Sequence, residues 1–225
     1  MPADSVPYPS LKITGLFIMV LAATAVISLA MLLSVDDTVR LKALIEDDGP
    51  VQLVGQTAIA LAFALCLVLS VADRSRYSSY LHLSYLLMFY TLREADYHYK
   101  LSEYAKASQF KRFFSHELIP ISSKLFLASI VILFLVVAYR YVKKGKDPFL
   151  LALRAKIPWA IFVLLWGGVA FLSQAIDQIP YFHNVVGQVY EEIFETSAEI
   201  LMLCAVILFR VQIFADTRGY SIARV

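Results

Sequence analysis

The sequence predicts an all-α integral membrane protein, a bundle of about six transmembrane helices with its N and C termini cytoplasmic. Three observations predict it. Hydrophobic residues fill 60% of the 225 positions and the mean hydropathy is +0.69, more apolar surface than a soluble domain of this length needs to bury. The apolar residues come in runs near the ~20 residues that cross a hydrocarbon layer of about 30 Å. The basic residues gather in alternate short connections, as loops retained in the cytoplasm do.

The first run, 11–35, is long and is not followed by an A-x-A cleavage site, so it reads as a retained span and not a cleaved signal. The connection after it holds Asp36, Asp37, Glu46, Asp47 and Asp48 around Leu41-Lys42-Ala43-Leu44-Ile45, the pattern of a solvated face or of helix caps. The second run is 51–72. The third, 77–97, is short unless it continues through Tyr97. The connection 99–120 is long and interleaves aromatics with charges, which suggests an interfacial segment, either anchored among headgroups or closing as a lid. The remaining runs are 121–142, 159–176 and 185–215. Trp159 and the tyrosines fit an interfacial belt, and Trp166, Gly167 and Gly168 suggest close helix packing.

Charge sets the expected orientation. Cytoplasmic termini place Arg74, Arg76, Arg140, Lys143, Lys144, Lys146, Arg154 and Lys156 inside, with Lys12, Arg210, Arg218 and Arg224. Of the acids only Asp4, Asp73, Asp147 and Asp216 join them. Acids barely influence insertion, so their gathering toward the other face asks for a different cause. The expected location is a bacterial inner (cytoplasmic) membrane, with membrane lipid as surroundings and a protein partner or homo-oligomer as possible company. A net charge of +2 without a basic, aromatic-interleaved stretch argues against nucleic acid. Cys66 and Cys204 sit alone in apolar runs, which fits packing and excludes a CxxC motif.

The outer acids and histidines form the candidate site. Arg93-Glu94-Ala95-Asp96-Tyr97-His98-Tyr99-Lys100 ends the third run, and a helix there puts Glu94 and His98 one turn apart, a spacing that suits two ligands of one metal. Asp177 and His183 flank the short connection between the fifth and sixth runs, with Gln174, Gln178 and Gln188 nearby. His116 and Glu117 lie in the third outer connection, while His82 stands isolated and suits a hydrogen-bonded packing role. The last run opens with Glu191, Glu192, Glu195 and Glu199, of which Glu192, Glu195 and Glu199 share one stripe. If the helix enters lipid near Gly187, Glu195 lies roughly 12 Å deep and Glu199 roughly 18 Å. A carboxylate at that depth costs on the order of 2.5 to 3.5 kcal/mol, so it must be protonated, paired, or facing a polar cavity.

The leading functional expectation is a membrane-embedded metal-dependent hydrolase acting on a lipid or lipid-linked substrate at the outer face. Glu94, His98, Asp177 and His183 would hold a divalent metal ion, zinc being one candidate, and Glu191, Glu195 or Glu199 would be catalytic. The alternatives are a proton- or cation-coupled transporter or channel using the Glu192, Glu195 and Glu199 stripe, and a non-catalytic membrane subunit or assembly factor. A haem held by His98 and His183 is a further option without an inner partner for His82. The mixture of acids and histidines at one bilayer face resembles the alkaline ceramidase and adiponectin-receptor group of seven-helix membrane hydrolases, which bind zinc there. The chain departs from that group in its number of spans and in having glutamates where an H-x-x-x-H pair would stand, so no residue role is carried over.

Overall fold

A computed structural model describes residues 11–45, 49–94, 114–115, 117 and 119–217. These form seven α-helices and no strand: α1 (Leu11–Leu33), α2 (Thr38–Ile45), α3 (Pro50–Ala72), α4 (Tyr77–Glu94), α5 (Ile121–Arg154), α6 (Pro158–Gln178) and α7 (Val185–Thr217), with a 3-10 turn at Pro180–Phe182. Every long apolar run is therefore helical. Among the described residues four segments are long and apolar enough to cross a membrane: Thr14–Leu33, a stretch within Thr38–Ala72 that takes in α3, Ile121–Arg154 and Pro158–Gln178. α4, with its seryl, tyrosyl and histidyl side chains, and α7, with its glutamates, are not in that set.

The contacts divide the chain into Met1–Ile59 with Pro148–Val225, and Ala60–Asp147. In the first unit α6 and α7 pair antiparallel. Trp159 meets Phe209 edge-on at 5.1 Å between ring centroids, and Gln174 meets Glu195 at the other end. α1 runs antiparallel to α7, with Ile18 and Leu21 in a core of Phe162, Leu201 and Ala205. Farther along, its Leu32 joins Val189 and Ile193. α2 rests on the same end of α7 through buried Leu41 and Ile45. Asp37 caps α2, its Oδ1 accepting from the Val39 and Arg40 amides at 2.9 and 3.4 Å, so one of the loop acids is a helix cap as its position suggests.

In the unit Ala60–Asp147, Phe89 stacks on Phe134 with centroids 4.2 Å apart, and Tyr85 Oη donates to the Ile130 carbonyl at 3.5 Å. His82 Nδ1 lies 3.3 Å from Ser78 Oγ, one turn back on its own helix, which fits the local role its isolation suggests. Cys66 is buried and both cysteines are free thiols.

α5 is longer than the run 121–142: it continues as one helix of 34 residues through Lys143–Asp147 and past Pro148. Its end is specified by a Schellman turn. The Lys156 amide donates to the Leu153 carbonyl at 3.0 Å and the Ile157 amide to the Ala152 carbonyl at 2.9 Å. Lys156 takes φ 54°, a left-handed conformation that suits glycine better than lysine. Pro158 then opens α6, where its missing amide leaves no helical bond unmade.

Two residues build the turn from α6 into α7. Asn184 Oδ1 accepts from the Gly187 amide at 2.9 Å and caps α7. A Cβ on Gly187 would fall on the Phe182 carbonyl oxygen, so only glycine allows this approach.

Three substitutions test these ends, read by thermal unfolding of the detergent-purified protein. Lys156→Gly removes a left-handed penalty of about 1 kcal/mol and should raise the midpoint. Asn184→Ala should lower it by the ~1 kcal/mol of a lost cap. Gly187→Ala should lower it further, because backbone and not a flexible side chain must give way.

Candidate functional site

The acids of α7 change environment along the helix. Asp177, at the end of α6, is exposed; Glu191, Glu192 and Glu195 are half-buried; Glu199 is 3% exposed. A stripe with i, i+4, i+8 spacing beginning at Glu191 thus leads from the α6–α7 turn into the helix packing. Each step is about 6 Å along the axis.

Each half of the stripe is held by a different neighbour. Glu195 Oε1 accepts from Gln174 Nε2 of α6 at 3.1 Å. One turn farther, Glu199 lies against α3. A Cβ on Gly55 would overlap Glu199 Oε2 and stand 3.1 Å from both Glu199 Cδ and the Thr196 Cα, so the carboxylate occupies the space a side chain would take. Thr196 Oγ1 donates to the Val51 carbonyl at 3.1 Å, which fixes the first turn of α3 beside the same stretch of α7. The two helices run parallel here, Val51 to Gly55 alongside Thr196 to Glu199. On α6, Ser173 is fully buried, and its Oγ has no hydrogen-bond partner among the described residues.

At the turn, His183 and Asp177 are joined through the backbone. His183 Nε2 donates to the Asp177 carbonyl oxygen at 2.8 Å, and Asp177 Oδ2 accepts from Gln178 Nε2 at 2.8 Å. The carbonyl can only accept, so Nε2 carries a proton and donates it, and Nδ1 is the ring nitrogen outside this bond. His183 itself is exposed.

The structure therefore brings together Asp177 with His183, and Glu191 with Glu195 and Glu199. Glu94 is the last residue of α4, and its side chain, together with His98, Asp96 and His116, lies outside the described residues. Among the described residues no three of His, Cys, Asp and Glu converge as a metal site. Of the four expected ligands, Asp177 and His183 lie together at the turn through a backbone contact, and the side chains of Glu94 and His98 lie outside the described residues.

Gly55, Thr196 and Val51 escaped the sequence reading. Gly55 lies between Gln52 and Gln56, a polar start to an otherwise apolar helix, and that local break in hydrophobicity was the available signal. The glycines singled out instead, Gly167 and Gly168, are exposed and would meet nothing within 4 Å if given a Cβ. Trp166 does pack in the α1–α6–α7 core. Among the described residues the close approaches are at Gly55, between α3 and α7, and at Gly187, against the turn that precedes α7.

Comparison with protein-family models, curated proteins and solved structures returns no match to the chain.

The Gly55 contact yields a double-mutant test. Gly55→Ala should destabilise the purified protein by about 1–3 kcal/mol, as overpacking does. In a Glu199→Ala background the cost should shrink by at least ~0.5 kcal/mol, the coupling expected of residues in contact. Equal costs in the two backgrounds would contradict the contact.

Proposed function

We propose that the chain is a multi-pass membrane protein of a bacterial inner membrane, with cytoplasmic termini, in which the α7 carboxylates carry protons or small cations. One observation carries the reading: accessibility falls stepwise from exposed Asp177 through half-buried Glu191 and Glu195 to Glu199 at 3% exposure. A carboxylate placed so deep costs several kcal/mol unless it is protonated or shares a cation, and such groups mark ion and proton routes. A ladder of carboxyl groups one helical turn apart lets a proton or a dehydrated cation advance by single exchanges, each acid taking the charge as its neighbour gives it up.

Within that reading Glu199 is the coupling site, loaded from the outer mouth. Gln174 orients Glu195 as the half-way acceptor. Gly55 makes room for Glu199 between α3 and α7. Asp177 and His183 stand at the entrance, where an exposed acid draws in cations.

A second reading, metal-dependent hydrolysis at the outer face, is favoured by the His183 ring. Metal-bound histidines characteristically donate their other N–H to a carbonyl or carboxylate, and the Nε2 bond to the Asp177 carbonyl leaves Nδ1 for a metal such as zinc, with Asp177 as a further ligand. Glu94 and His98 would complete the set, with Glu191 or Glu195 accepting a proton from metal-bound water. Its substrate would be a lipid or a lipid-linked molecule.

Proteoliposomes separate the two. The first reading predicts proton or cation flux that Glu199→Gln lowers at least ten-fold and His98→Ala leaves within two-fold. Flux indifferent to Glu199→Gln overturns it. The second predicts stoichiometric metal in detergent-purified protein that is lost in His98→Ala and His183→Ala. Metal-free protein whose activity ignores chelators removes that reading.

A further inference from the structure

α5 carries a cationic face that the α7 stripe does not use. Arg140, Lys143 and Lys144 are spaced by three and four residues, share one side of the helix, and are all exposed. Lys146 is exposed beside them, and Asp147 is the one acid in this stretch.

The position of this face matters as much as its charge. From Ile121 to Val142 the helix rises about 33 Å, close to the ~30 Å of a hydrocarbon layer. The cations thus begin where the apolar length ends, which for a spanning α5 is the level of the phosphates. None of the residues in the apolar window of α5 is buried among the described residues, which leaves this part of the helix open to lipid beside its contact with α4. Tyr139, 66% exposed, lies one turn before Lys143, whose Nζ is 5.9 Å from the ring centroid. A tyrosine at the polar edge of an apolar run is an interfacial anchor, and its face steers the lysine toward the same level.

We propose that Arg140, Lys143 and Lys144 bind the phosphate of an anionic phospholipid headgroup in the leaflet that meets the C-terminal part of α5. The Arg140 guanidinium is suited to fork onto two phosphate oxygens, and the lysines add point charges on either side. A zwitterionic lipid brings its own ammonium group against three cations, so the face selects for net negative charge. The proposal rests on α5 spanning the bilayer and is independent of ion movement along α7.

The full chain in mild detergent is titrated with phosphatidylglycerol or phosphatidylcholine, and bound lipid is counted by native mass spectrometry. Wild type should retain phosphatidylglycerol at least ten-fold over phosphatidylcholine. Each of Arg140→Gln, Lys143→Gln and Lys144→Gln should weaken retention about five-fold, the worth of one juxtamembrane charge. The triple variant should lose the preference, while Arg74→Gln with Arg76→Gln should keep it. An unchanged lipid ratio in the three single variants overturns the proposal, even where the triple variant does not fold. An equal loss in the Arg74 and Arg76 control reduces the effect to net charge and also overturns it. Displacement by millimolar inorganic phosphate would assign the site to a free anion instead and overturns the lipid assignment. Flux is read separately in proteoliposomes, so failure here leaves the α7 reading standing, and the reverse.

Discussion

The Glu199 carboxylate lies where a side chain on Gly55 would stand, and the pairing of α3 with α7 depends on that glycine. A charged or protonated carboxyl group has to be lodged between two helices, and it can be only because α3 offers no side chain there. That approach brings the Val51 carbonyl within reach of Thr196, which holds the parallel pairing of α3 and α7 in register. One turn earlier on the same stripe, Gln174 of α6 takes up Glu195. Successive acids of one helical stripe are thus met by different helices, Glu195 by α6 and Glu199 by α3.

The helices divide the work between them. α7 is the hub, touched by α1 and α2 through Leu32, Leu41 and Ile45 and by α6 through Phe162 and Trp166. α1 and α5 are the reverse: 6% of the apolar window of α1 is buried and none of that of α5, although both are densely aliphatic. In water such surfaces would drive aggregation. In lipid they need no cover, and the polar groups can be kept for the interior of the packing.

Much of the fold was legible in the sequence, because apolar length and interruption are local properties. The run 159–176 corresponds to α6 (Pro158–Gln178) and 185–215 to α7 (Val185–Thr217), bounded by prolines, asparagine and glycine whose chemistry marks ends. The extension of α5 through Lys143–Asp147 was not legible, since a basic stretch ending in proline ordinarily stops a helix; here the stop is deferred to the turn at Lys156. The carboxylates of the site were conspicuous because acids are rare in apolar runs. Their supports were not: Gly55 and Thr196 are ordinary residues that matter through where another helix happens to lie. Gly167 and Gly168 drew attention for a property that depends on a neighbour, and among the described residues none stands within 4 Å of a Cβ at either position.

The hydrogen bond from Thr196 to Val51 closes a separation of 145 residues. During synthesis α3 therefore leaves the ribosome long before the helix that will cover its glycine, and its polar first turn must wait through the emergence of every segment between them. Contacts so distant along a chain form late and slowly. The Glu199 carboxylate can thus take its place beside Gly55 only after α7 itself has been made, and until then the bare first turns of α3 stand without the partner that fills them.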